Sequence, residues 1–314
     1  MAKCFICFTI DTDPDGVTGR LINRSNLRWQ GLEGIGRLMD QMAPAAPGRS
    51  RIPITWFVRA DGQLRTAYGT DQYLLERFAP LWSEAAGAGD EIGWHPHLYR
   101  HSGKEMEVEL ITDSSEAVDE LERICRELRA SGFQAVAFRN GEGWHTPATY
   151  AKVEDLGFLW DCTAIPGRKG PDGHPLDWLN SPNQPYFPGR DLRSPGAPRR
   201  LLEIPINTWF VQASYDQRAR LRYINPAIHE PLFLRALEGL ELDSIVTTQV
   251  WTMVVHPDEC LEGAPSDELY SRSPQIVCRN LQAFACALQA RDHDVQFATM
   301  SQAGREWLGG TGSS

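Results

Sequence analysis

Cys4–Ile10 (CFICFTI) is a continuous apolar run with no polar face, and a strand of that kind has to be covered on both sides. Sheets buried on both faces are parallel sheets wrapped by helices. The rest of the chain supplies both parts. Further strands read at Ile54–Val58 (ITWFV), Glu91–Trp94, Ala135–Phe138, Phe158–Asp161, Leu201–Ile206, Ile245–Val255 and Val295–Ala298. Helical spacing falls between them, at Leu32–Met42, Gln72–Ala88, Ser114–Ser131, Pro147–Leu156, Ile228–Leu240 and Pro274–Arg291. Asp113 with Glu116 makes a capping-box-like start, and Gly157 a stop. Strands alternating with helices predict an α/β fold with a parallel sheet. About seven such units suit a barrel better than an open sheet.

A chain of 314 residues can bury a sizeable core, and its 42% apolar and 23% charged residues are an ordinary globular mix. The expectation is one domain over 1–308. Residues 168–200, rich in Pro, Gly and Asp, read as a long ordered loop or lid, and 309–314 (GGTGSS) as a disordered tail. With 31 basic against 41 acidic side chains the net charge is −10, which argues against nucleic acid or anionic lipid as partners. No stretch of 18 apolar residues is present, and residues 1–10 lack the features of an export signal, so a cytoplasmic location is expected. The sequence does not set an oligomeric state. Cys4 and Cys7 form a CxxC inside an apolar strand, where neighbours three apart face opposite ways. They read as buried thiols rather than a redox or zinc pair.

The residues able to do chemistry sit mostly just after strands. Asp11 and Asp13 lie two apart at the end of the first, so their carboxylates project from one side. Held close, they repel unless one is protonated or a cation lies nearby. His95, His97 and His101 place three of the eight histidines within seven residues, and imidazole is a common metal ligand. Arg139 follows another strand and precedes a glycine-rich loop, where it can pair with a catalytic carboxylate. His256 leaves an apolar strand directly and can protonate a leaving amine if a carboxylate tunes it. Glu142, Trp144 and His145 in the glycine-rich loop, with Trp209, are candidates for substrate contact. Core packing is the plainer use of those tryptophans.

Taken in order, Thr9–Asp13, Ile54–Val58, Glu91–His95, Phe138-Arg139 with Gly141 and Gly143, Leu156–Phe158 leading to Asp161–Thr163, Leu202–Pro205 and Val255–Pro257 resemble the polysaccharide-deacetylase (NodB-homology, carbohydrate esterase 4-like) superfamily. The likeness spans about Phe5 to Thr299. It implies a distorted, partly open (β/α)7 barrel. It also implies a metal-dependent hydrolase that removes an acetyl or other acyl group from an amide nitrogen of a sugar-like substrate. Asp11 takes the place of the base, Asp13 of a metal ligand, Arg139 of the group steadying the base and His256 of the acid. One divalent ion, expected to be Zn²⁺, completes the site.

The family spaces its two histidine ligands four apart, but four after His95 is Tyr99. The second ligand is therefore His97, or the pair becomes His97 with His101. His95 with His97 is preferred, because both leave the strand end together. The Arg139 loop also departs from the family, carrying Gly141 where a proline is frequent. Two other readings stay open: hydrolysis of a non-sugar, cyclic amide, and a carbohydrate-binding barrel without catalysis.

Overall fold

The structure, a computed structural model, describes residues 2–16, 27–42, 51–103, 107–263 and 266–311. Its first half runs β1 (Lys3–Asp11), α1 (Gln30–Glu33), α2 (Gly36–Gln41), β2 (Ile54–Arg59), α3 (Gly62–Tyr68), α4 (Tyr73–Arg77), α5 (Ala79–Gly87), β3 (Glu91–His95), β4 (Tyr99–His101), β5 (Val108–Leu110) and α6 (Ser114–Ala130). The second half runs β6 (Ala137–Phe138), α7 (Pro147–Asp155), β7 (Trp160–Asp161), β8 (Leu202–Glu203), β9 (Thr208–Val211), β10 (Arg220–Tyr223), α8 (Glu230–Glu238), β11 (Gln249–Val255), α9 (Pro274–Gln289), β12 (Asp294–Phe297) and α10 (Met300–Thr311).

One parallel sheet has the order β11-β1-β2-β3-β6-β7-β8, with β12 added against β1. The alternation of β1 shows how it is buried. Cys4, Ile6, Phe8 and Ile10 face the helix layer with Leu32, Val277 and Phe284. Phe5 and Cys7 face the other way and share a cluster with Phe57, Ala137, Trp160, Leu202 and Val250. Residues from strands so far apart in the order meet only if the sheet curls round on itself. The result is the expected partly open (β/α)7-type barrel. Cys4 and Cys7 fall in different clusters, on opposite faces, and both are free, buried thiols. Burial pushes the Cys4 thiol up to about 11.

The barrel opens between β8 and β11, and side-chain amides span the gap. Asn207 donates its backbone N–H to Thr252 O (3.2 Å), and its Oδ1 accepts from Thr252 N (2.6 Å). Gln184 bonds Val250 in the same two-way fashion, at 3.2 and 2.8 Å. Tyr186 exchanges both backbone bonds with Glu203 of β8 (3.0 Å each). Segment 168–200 contains no helix or named strand, yet it buries Trp178, Tyr186 and Leu192. Part of it is therefore wall.

Several expected elements differ in detail. The helix expected at Leu32–Met42 is two short ones, α1 and α2, parted at Gly34 and Ile35; glycine is a poor helix former. The one expected at Gln72–Ala88 breaks at Phe78, because Pro80 fits only a first turn and starts α5. The tail expected from 309 is still helical to Thr311, and 312–314 lie outside the described residues. Tertiary contact overrides the glycines there: α10 lays Met300 and Ala303 into the interior cluster and closes the bottom of the barrel. Thr55 Oγ1 and Glu91 Oε2 accept the first N–H groups of α10 at 3.0 and 2.8 Å. No helix among the described residues is long and apolar enough to cross a membrane.

Gly304 gives a sign test for that docking. A Cβ there falls 2.5 Å from Trp160 ring carbons. Gly→Ala inside an ordinary helix stabilises by up to about 1 kcal/mol. Gly304→Ala is expected instead to destabilise by about 1–3 kcal/mol through overpacking. Denaturant unfolding measures it, and a gain in stability would place α10 elsewhere.

Candidate metal centre and active site

The C-terminal ends of β1, β3, β6 and β11 carry Asp11, His95, Arg139 and His256 to one cleft of about 480 Å³. Strand ends of a parallel barrel are where side chains converge on a ligand. After β1 the chain turns sharply, with Asp13 N donating to Asp11 O at 2.8 Å. Thr12 is pinned to β2: its N donates to Phe57 O (3.0 Å) and its Oγ1 accepts from Arg59 N (2.9 Å). With Thr12 fixed, Asp13 hangs over the mouth.

Asp13, His95 and His97 each offer one ligand atom, and these atoms all lie within 4.8 Å of one another. His97 Nε2 is 3.1 Å from Asp13 Oδ1 and 3.2 Å from His95 Nε2. His95 Nδ1 is 2.8 Å from the backbone carbonyl of Arg139. A carbonyl only accepts, so Nδ1 carries the hydrogen and Nε2 turns its lone pair into the cluster. That outer hydrogen bond is the usual way a metal-binding histidine is oriented. His97 Nδ1 is buried without a hydrogen-bond partner among the described residues, and Glu142 Oε1 stands 3.9 Å away. Inward-facing imidazole lone pairs beside a carboxylate suit a divalent cation of the zinc kind. Burial works against ionising Asp13, but His97 and His95 outweigh it and hold its carboxyl well below the usual range. Gly141 has to be glycine, because a Cβ there would lie 2.2 Å from the His97 ring.

His101 is not part of this group. The chain does not become helical after Pro96; it enters the β4–β5 hairpin, which carries His101 to an exposed position where its Nδ1 accepts from Gly103 N. The His95–His97 pair is the one brought together.

Two arms flank the centre. On one side Arg139 Nη1 donates to Asp11 Oδ1 (2.5 Å) and Thr9 Oγ1 (2.9 Å). Its Nε donates to Cys162 O (2.8 Å), and its guanidinium lies 4.0 Å from the Phe57 ring centroid. On the other side His256 Nε2 is 3.5 Å from Asp13 Oδ2, and its Nδ1 is 3.3 Å from Glu259 Oε1. Glu259 Oε2 accepts from His256 N (2.9 Å) and Asn225 Nδ2 (2.7 Å), which fixes the carboxylate. Burial opposes a charge on His256; Glu259, with Asp13 and Asp11, outweighs it and raises the ring to about 10.

The expected substrate contacts divide. Glu142 does line the cleft, at a positive φ of 58°, and accepts from the Tyr99 hydroxyl. Trp144, His145 and Trp209 do not line it. Trp144 is fully buried. His145 is sealed inside, 3.0 Å from Asp161 Oδ2. Trp209 packs edge-on to Phe233 at 4.8 Å. Aromatic residues near strand ends carry no sequence mark that separates core from cleft. Sequence reasoning also passed over Glu259 and Arg59. Glu259 is signalled by its place three after His256 in a His-Pro turn. Arg59, 3.4 Å from Asp13 and 2.8 Å from Asp61, is the last residue of β2, so its position alone could have raised it.

Comparison with known proteins adds three structural likenesses. A protein described as a candidate for cellobiose-phosphate cleavage, from Enterococcus faecalis, is 12% identical over 96% of this chain and 99% of its own, with a TM-score of 0.44. A family 4 carbohydrate esterase from Streptomyces lividans is 10% identical over 95% and 94%, with a TM-score of 0.38. A peptidoglycan deacetylase from Bacillus subtilis is 12% identical over 96% and 90%, also at 0.38. No family model and no curated protein matches the sequence. Identities and scores this low do not transfer an activity.

Proposed function

We propose that the chain is a divalent-metal-dependent hydrolase that removes an acetyl or similar acyl group from an amide nitrogen of a sugar-like substrate. One observation carries the reading: Asp13, His95 and His97 converge on a common point, with a charge-paired carboxylate on one flank and a carboxylate-tuned imidazole on the other. The solved structures with a similar course include proteins named as a carbohydrate esterase and a deacetylase, which accords with it.

Asp13, His95 and His97 would hold the ion, expected to be Zn²⁺, which when bound supplies Lewis acidity to the acyl carbonyl and the attacking water. Asp11 takes a proton from that water as its oxygen bonds to the acyl carbon. Arg139 keeps the Asp11 carboxylate aimed, from a buried site where its own charge has no other carboxylate partner among the described residues. As the C–N bond breaks, protonated His256 gives its Nε2 proton to the departing nitrogen, and Glu259 orients that ring from Nδ1. Metal analysis of the purified protein, followed by acetate release from a panel of N-acetylated sugars, tests the whole. One bound divalent ion and released acetate are expected. Neither would point to a binding barrel, and metal without acetate to another amide such as a cyclic one.

The tuning of His256 has its own check. Its acid form is present below the raised pKa and lost as pH climbs through it, so the raised value extends activity to alkaline pH. Glu259→Gln removes the charge that does most to raise it. The basic limb of kcat against pH is expected to move down by about 1 unit or more. An unmoved limb would assign the acid to another group.

A further inference from the structure

The cleft is lined by Asp11, Asp13, His95, Arg139 and His256 of the proposed catalytic group, and its lining also includes Arg168 and Lys169, both exposed. Arg168 and Lys169 have no carboxylate partner among the described residues, and they are adjacent in the lining of this cleft. Asp177, which pairs with Lys169 through the backbone, gives its carboxylate to Arg193 at 3.0 Å. Two adjacent free cations stand out on a chain of net charge −10.

The rim is held firmly. Trp178 N donates to Arg168 O (2.8 Å), Gly167 N to Trp178 O (2.9 Å) and Gly170 N to Leu176 O (2.8 Å), which makes residues 167–178 a small closed loop. Trp178 Nε1 donates to Gly143 O at 2.6 Å and ties that loop to the one after Arg139. Gly143 has a φ of 64°, and a Cβ there would lie 2.6 Å from Ile165, so the two loops touch closely. Buried Ile165, Leu176 and Trp178 anchor the loop from below. Arg168 and Lys169 are thus presented over the centre by a braced element.

We infer that the substrate bears an oxyanion, a phosphate or a carboxylate, on its sugar-like body, received by Arg168 and Lys169 while the neutral acyl amide reaches the Asp13, His95 and His97 group. This rests on the deacylase reading for the amide, and specifies the substrate class of the same cleft. At the rim a phosphate or carboxylate meets two adjacent charge-assisted donors that no protein carboxylate occupies.

The test compares N-acetylglucosamine with N-acetylglucosamine 6-phosphate and with the corresponding N-acetylated uronic acid, in the native protein and in Arg168→Gln/Lys169→Gln. Both positions are exposed, so the double variant should fold. Acetate release gives kcat/KM, and calorimetry on an Asp11→Asn background gives binding without turnover. The charged member is expected to be favoured by about 10- to 100-fold, with that preference falling at least tenfold in the double variant and at high salt. Preference for the phosphate over the uronate, or the reverse, identifies the oxyanion. Equal rates on charged and neutral members, or a preference that the variant leaves intact, overturn the inference and leave the deacylase reading standing. Rim-dependent binding of a charged sugar with no acetate from any substrate does the opposite. Neither binding nor cleavage removes both.

Discussion

Asp13→Ala is expected to leave the protein folded, without its divalent ion, and slower by more than about 10³-fold, because Lewis-acid stabilisation contributes several kcal/mol to such a step. The mostly buried carboxylate is the only acidic member of the Asp13, His95 and His97 group, and its oxygens also face His256. Its removal leaves two neutral rings, too few ligands for a closed site. Metal content by elemental analysis and acetate release read the two effects separately. His97→Ala should behave alike, while His101→Ala should keep both metal and rate, since that ring is on the hairpin. Full metal content in Asp13→Ala would falsify the ligand set.

Asp11→Asn is the second large effect, and it separates base from ligand. The side chain keeps its size, and Asp11 is absent from the convergent donor group, so metal content should match the native protein. Turnover should fall by about 10²- to 10⁴-fold, the usual worth of a positioned proton acceptor. The variant also leaves the Arg139 guanidinium buried without its carboxylate, so some loss of stability accompanies it. Loss of metal in Asp11→Asn, or normal turnover, would end its assignment as base.

The barrel was legible because β1, β2 and β11 are apolar on both faces, a pattern that only a covered parallel sheet tolerates. Asp11, Asp13, His95, Arg139 and His256 were legible for a related reason: strand ends can be placed from the pattern, and polar residues there point to one mouth. The choice between His95 and His101 as the partner of His97 was not fixed by spacing. It depends on whether the chain coils or extends after Pro96, and the β4–β5 pairing decides that through residues some ten positions later. Trp144 and Trp209 misled because an indole serves a core and a sugar ring equally well. α10 was unreadable for the opposite reason: its glycines discourage a helix in isolation, and only the Trp160 surface beneath it makes one worthwhile.

The join between β8 and β11 has a consequence for how this shape tolerates change. A closed ring of strands fixes its girth by strand number and stagger. Here two carboxamides, on Gln184 and Asn207, stand in for a missing stave. The circumference at that point is therefore written in side chains, one of them on the long irregular stretch that also bears the cationic lip. Shortening that stretch to trim the entrance would unbutton the vessel itself, so its length is tied to the integrity of the fold as much as to what enters.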